Sequence, residues 1–130
     1  VTSPASHANE LVVVDAHVHI HDCYPLSVFF DRAFENLTRA ARGAGRDTPP
    51  RGVLLMTEAE PDDWFAKLAL AARSASGRDG LPGAGTWSFA ATDEECALMA
   101  RAPGREILVI AGRQVACAED LEVLTLCTLG

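Results

Sequence analysis

The stretch LVVVDAHVHIHDC, residues 11–23, decides how this chain is read, because an apolar run gives way to Asp15, His17, His19 and His21 at every second position. In an extended strand, side chains two apart share a face. Asp15 and three imidazoles would then line one face, and Ala16, Val18 and Ile20 the other. The first half is apolar at every position, the pattern of a parallel or central strand buried on both sides. The polar half marks where such a strand, expected over residues 11–20, emerges from the core.

Neutral imidazole binds zinc, iron and manganese, and two imidazoles at i and i+2 of a strand can converge on one ion with little backbone strain. His17 and His19 are therefore candidate metal ligands. Asp15 stands one step earlier, where a carboxylate orients a ring by accepting its N–H or ligates the ion itself. His21 is either a third ligand or already part of the following loop. The competing reading is an edge strand whose solvent face is rich in histidine. His7, in the polar N-terminal segment, is expected only to be solvated.

Working outward, Leu26, Phe29, Phe30, Ala33, Phe34, Leu37, Ala40 and Ala41 recur at helical spacing, which predicts a helix over residues 27–42 with Gly43 as its stop. GVLLMTE, residues 52–58, reads as a short strand. Pro61, followed by Asp62 and Asp63 in a first turn that favours acidic groups, predicts a second helix ending near Ser74, with Trp64, Phe65, Leu68 and Ala72 inward. The order βαβα indicates an α/β sheet. Beyond the Gly-rich connection of residues 74–86, TWSFA suggests a brief strand. Thr92 and Glu95 are spaced as in a capping box and predict a short helix that Pro103 and Gly104 end. Residues 107–128 alternate in two β-like runs about Ala118, Glu119 and Asp120, the pattern of a C-terminal β-hairpin.

The 130 residues suit one domain: a flexible tail over residues 1–10 and a single α/β domain over residues 11–130. A net charge of −7 argues against nucleic acid as a partner, since that binding draws on clustered Lys and Arg. A small phosphorylated substrate is compatible with it, because a bound cation reverses the local field. Nothing in the sequence has the length or flanks of a membrane span or a secretion signal, so the expected address is cytoplasmic. There Cys23, Cys96, Cys117 and Cys127 would stay reduced; their spacing matches no CxxC pattern, so they are read as buried thiols, with Cys23, close to the histidines, as an alternative further ligand. Glu58 and Glu60 follow the second strand, where α/β enzymes place functional groups, yet Glu60 also suits the start of the next helix, and helix capping is the expected role. No phosphate-binding Gly-rich loop and no GxSxG is present, which removes support for P-loop and serine-hydrolase chemistry.

At DAHVHIH the sequence resembles the first strand of metal-dependent hydrolases of the amidohydrolase and PHP (polymerase and histidinol phosphatase) type, whose barrels begin with an apolar strand ending in D-x-H-x-H. AGRQVACAEDLEVLTLC resembles a PHP segment in which a G-x-E strand, a turn and a histidine-bearing strand follow one another. The resemblance implies the βαβα start of a distorted TIM-like barrel, incomplete at this length because such barrels need ~250 residues. The chain would then be the N-terminal half, closed by self-association or by a missing C-terminal half. It further implies a divalent metal (zinc, manganese or iron) on His17 and His19, and water activated by that metal to hydrolyse a small phosphate ester. Two positions depart from the pattern. Gln114 stands where G-x-E would supply a bridging carboxylate, and Leu124 or its neighbours where the histidine belongs. The alternative is a non-catalytic α/β module that binds a metal or a partner, or a degenerate homologue with vestigial histidines.

Overall fold

The protein is described here from a computed structural model covering residues 10–129. The expectations for His7 and the rest of residues 1–9 lie outside the described residues. Seven strands and two helices follow in the order β1 (Val12–Val18), α1 (Leu26–Gly43), β2 (Arg51–Met56), α2 (Trp64–Ala72), β3 (Ser88–Ala91), β4 (Ala97–Ala102), β5 (Arg105–Ile110), β6 (Gly112–Ala116) and β7 (Glu122–Leu126). Five of them form one mixed sheet in the order β1-β2-β5-β4-β3, and β6 and β7 form a separate two-stranded sheet.

The barrel implied by the resemblance is not what the chain builds. β1, β2 and β5 run parallel, but β4 and β3 return antiparallel, and no barrel closes. The physical reason lies between residues 92 and 104, where a short helix was expected. From Leu98 onward ALMARA alternates, with Leu98 and Ala100 buried and Met99 and Arg101 half-buried and exposed, and it pairs as a strand. Pro103 and Gly104 do not stop a helix; they turn β4 directly into β5, with Ala102 paired to Arg105 and Gly104 at φ +70°, as position i+2 of a type II turn requires. Thr92 accepts the Glu94 N–H at 3.2 Å in a local turn and caps no helix.

Both parallel crossovers, β1-α1-β2 and β2-α2-β3, move the same way across the sheet. With the usual right-handed connection, both helices therefore fall on one face. That face holds the core: Leu54, Met56, Leu98, Ala100, Ile107 and Val109 from the strands meet Phe30 and Leu37 of α1 and Phe65 and Leu68 of α2. Trp87, fully buried, stacks near Phe30 with ring centroids 5.3 Å apart and donates its indole N–H to Asp31 at 2.9 Å. Among the described residues, no helix covers the opposite face. Val53, Leu55, Met99, Leu108 and Ile110 are only half-buried there. β1 is an edge strand, with Val12 53% and Val14 48% exposed, so its apolar half is not enclosed on both sides as the unbroken valine run suggested.

The predicted helices form with small shifts. α1 begins at Leu26, behind Pro25, and α2 begins at Trp64, three residues after Pro61, which lies in a turn closed by Asp62 N–H to Ala59 O at 2.7 Å. The C-terminal hairpin is shorter than expected, because residues 107–110 are a central strand of the main sheet. Only β6 and β7 form the ribbon, around a turn in which Asp120 takes a positive φ of +58°. The cysteines are not all reduced: Cys96 and Cys127 form a disulfide across a sequence separation of 31, while Cys23 and Cys117 are free. A crosslink of that span restrains the unfolded chain by roughly 3 to 4 kcal/mol in the chain-entropy account. Among the described residues, no helix is long and apolar enough to cross a membrane.

Candidate metal centre

The histidines owe their placement to an irregularity in β1. Asp15 pairs with Leu54 and Val18 with Met56, so three residues of β1 span what two of β2 span, and the extra residue forms a bulge. Before the bulge, Val13 and Asp15 lie on the helix-covered side. After it, Val18 and Ile20 turn into the core, 5% and 4% exposed, while His17 is exposed and His19 half-buried. The strict alternation expected to put Asp15 and the histidines on one face is thus interrupted, although Asp15, His19 and His21 still line one cavity. Asp15 Oδ1 accepts the backbone N–H of His17 at 3.2 Å, which fixes the bend itself and not an imidazole.

Beyond the bulge, His17 and His19 converge. Their Nε2 atoms are 3.0 Å apart. Gln114 Oε1, from β6, lies 3.2 Å from His17 Nε2, and Thr57 Oγ1, from the residue after β2, lies 3.4 Å from His19 Nε2. Thr57 is fully buried and its hydroxyl also donates to Val18 O at 3.3 Å, tying the ring support to the strand that carries the rings. All four side chains stand at the carboxyl ends of the parallel strands β1 and β2 or on β6, the continuation of β5. Open α/β sheets bind ligands at these ends. His21 meets this group through a ring contact with His19, centroids 6.1 Å apart and nearly parallel, and lies past the end of β1 in a turn with Tyr24. Cys23 is exposed in the same turn.

Two nitrogens each about 2.0–2.1 Å from one ion lie about 2.9–3.3 Å apart for bond angles between square and tetrahedral. The 3.0 Å found between the imidazoles falls inside that span. An amide oxygen beside them is a neutral donor suited to the same ion. Among the described residues, however, no group of three or more His, Cys, Asp and Glu side chains is placed to hold a metal ion. The arrangement thus offers two nitrogens and an amide oxygen, not a carboxylate-rich cage for several ions.

Gln114 reaches the site because β6 leaves the main sheet and runs beside the extension of β2. Glu58 N–H donates to Gly112 O at 3.2 Å, and Gln114 N–H donates to Glu58 O at 3.0 Å. Gly112 is required at this approach, since a Cβ there would collide with the carbonyl oxygens of Met56 and Thr125. The Glu58 side chain points the other way, toward the helices. It is 4% exposed, and its carboxylate caps α2 by accepting the Phe65 N–H at 3.2 Å. Burial raises its pKa above the usual carboxylate value, against the backbone N–H groups of Phe65 and Trp64 and the Arg113 charge, which lower it. Lys67, on the next turn of α2, has its pKa raised by a hydrogen bond to Asp63.

Sequence reasoning missed Thr57, although a hydroxyl directly after an apolar parallel strand was a usable signal. On the helix side of the bulge, a cavity of about 430 Å³ adjoins the histidines, with Asp15, His19, His21, Phe29, Arg32 and Leu54 in its lining. Compared with known proteins, the chain matches no family model, no curated protein and no solved structure.

Proposed function

We propose that this domain is a metal-dependent hydrolase that holds one divalent transition-metal ion on Nε2 of His17 and His19, with Gln114 Oε1 as a neutral third donor. The observation that carries the reading is the 3.0 Å convergence of the two imidazole nitrogens. When bound, such an ion lowers the pKa of a coordinated water toward ~7, making a nucleophile available at neutral pH. The chain's own groups supply position. Asp15 fixes the bulge from which His17 projects, while Thr57 Oγ1 and Gln114 Oε1 face the ligating nitrogens themselves, 3.4 Å from His19 Nε2 and 3.2 Å from His17 Nε2, so that they would flank the ion. The adjoining cavity, with Phe29 and Leu54 as apolar wall and Arg32 as a cation, suits a small anionic ester, and a small phosphate ester is the substrate class proposed.

The test is turnover of p-nitrophenyl phosphate and bis(p-nitrophenyl) phosphate with Mn²⁺ or Zn²⁺ supplied. Turnover that disappears in a His17→Ala, His19→Ala double variant supports the hydrolase.

A second reading is favoured by the neutrality of Gln114 and because, among the described residues, no group of three or more His, Cys, Asp and Glu is placed to hold a metal ion. In it the domain binds a metal without catalysis. Stoichiometric metal lost in the double variant, with no turnover in the parent, is its signature.

A further inference from the structure

We propose that the Cys96–Cys127 disulfide is a redox control on the metal centre, holding in place the strand pair that brings Gln114 to His17. The inference rests on the metal-binding reading above and names the regulation of that same site.

Ala111, the link between β5 and β6, is clamped by the two half-cystines. Its N–H donates to Cys96 O at 2.8 Å, and its carbonyl accepts the Cys127 N–H at 2.7 Å. Gln114 lies three residues further on. The ribbon that carries it has little else to hold it down. Val115, Val123, Leu124 and Leu126 are each between 41 and 49% exposed, and a two-stranded ribbon alone is marginal in water. On the β6 side the attachment is the short bridge at Glu58 and the Arg113 guanidinium donating to Asp62 O at 2.7 Å. On the β7 side it is the crosslink and the Cys127 N–H. Cys127 itself sits at φ +57°, a left-handed conformation unfavourable for a residue with a Cβ. Once the crosslink opens, that residue is free to relax to negative φ, which draws the end of β7 away from Ala111.

The step is thiol–disulfide exchange with a dithiol reductant. One thiolate of the reductant attacks a sulfur of the bond, forming a mixed disulfide and releasing one cysteine thiolate. The second thiol of the reductant displaces the other cysteine and closes a disulfide within the reductant. Two electrons and two protons pass to the chain, leaving Cys96 and Cys127 as thiols. β6 then keeps the Glu58 bridge, the Arg113 contact to Asp62 O and the Ala111 N–H bond to Cys96 O but loses the crosslink on the β7 side, and Gln114 is held less firmly against His17.

The test uses the full chain in a Cys23→Ser, Cys117→Ser background, so that one thiol pair remains. Hydrogen exchange is followed without metal in the oxidised form and in the form reduced by dithiothreitol. Zn²⁺ affinity is compared between the oxidised form and an added Cys96→Ser, Cys127→Ser variant, which lacks the bond and contributes no thiol ligand. The expected result is at least tenfold faster exchange at the Gln114 amide on reduction, unchanged protection at Leu54 and Val109, and at least tenfold weaker Zn²⁺ binding in the serine variant. Unchanged Gln114 protection overturns the tether whatever the metal does. Equal loss of protection at Leu54 and Val109 overturns it too, since that is general unfolding. Loss of Gln114 protection with equal Zn²⁺ affinity overturns the control of the site. No Zn²⁺ binding even when oxidised overturns the metal reading and the control together, and is told apart by that blank titration.

Discussion

Gln114 Oε1 lies 3.2 Å from His17 Nε2 although 97 positions separate the two residues, and the contact exists because β6 abandons the main sheet to run beside Glu58. A local feature of β1, the bulge after Asp15, sets the placement of the histidines. A distant one, the departure of the chain at Ala111, brings them an oxygen donor. Removing that donor tests its role directly. Gln114→Leu is expected to weaken Zn²⁺ binding by about 10- to 100-fold, the usual cost of losing a group that supports metal ligands, whereas Gln114→Glu is expected to tighten it. Calorimetric titration of the three proteins checks the order.

Gly112 sets the approach of β6 to β2. Because a methyl at this position would overlap both Met56 O and Thr125 O, Gly112→Ala is expected to destabilise the chain by about 1–3 kcal/mol, the range for forced overpacking. Urea unfolding measures the loss. Stability equal to that of the parent would mean that the ribbon shifts freely, which the packing here does not allow.

Glu58 predicts a pH dependence with a definite sign. Burial raises its carboxyl pKa, so the folded chain binds this proton more tightly than the unfolded chain does. The stability linked to it is complete below the unfolded carboxyl's pKa and is lost as pH rises through the raised folded value. Glu58→Gln keeps an oxygen to accept the Phe65 N–H and removes the titration. As pH rises from about 4, where an ordinary glutamate carboxyl titrates, the parent should lose stability relative to the variant. Parallel curves would show that the carboxyl does not titrate abnormally.

Asp31 joins α1 to the far end of the sheet, accepting from Trp87 Nε1 at 2.9 Å and from Arg105 at 2.8 Å, while Arg105 also lies over the Trp87 ring at 5.1 Å. Asp31→Ala leaves the indole N–H of a fully buried tryptophan without this acceptor and is expected to cost about 1–3 kcal/mol. Thermal unfolding followed by tryptophan fluorescence reads it.

What the sequence disclosed follows from how local each signal is. α1 and β2 were legible because Phe30, Leu37, Leu54 and Met56 carry strong periodicity within their own segments. β4 was misread because Thr92, Glu95, Pro103 and Gly104 imitate helix boundaries, while the pairing of Leu98 with Val109 and of Ala100 with Ile107, which makes the segment a strand, is a tertiary property. The same holds at the site. His17 and His19 stood out from their spacing, and Gln114 from its place in the tail. The bulge between Asp15 and Val18 depends on pairing with β2, and the Cys96–Cys127 bond on the return of β7, and neither is written in the local pattern.

The central claim is that His17 and His19 together hold one divalent ion, and the most direct measurement is calorimetric titration of the oxidised chain with Zn²⁺, repeated on His17→Ala and on His19→Ala. The account predicts one ion per chain for the parent and loss of that binding in each single variant. Undiminished binding in either variant, or no binding in the parent, would contradict it.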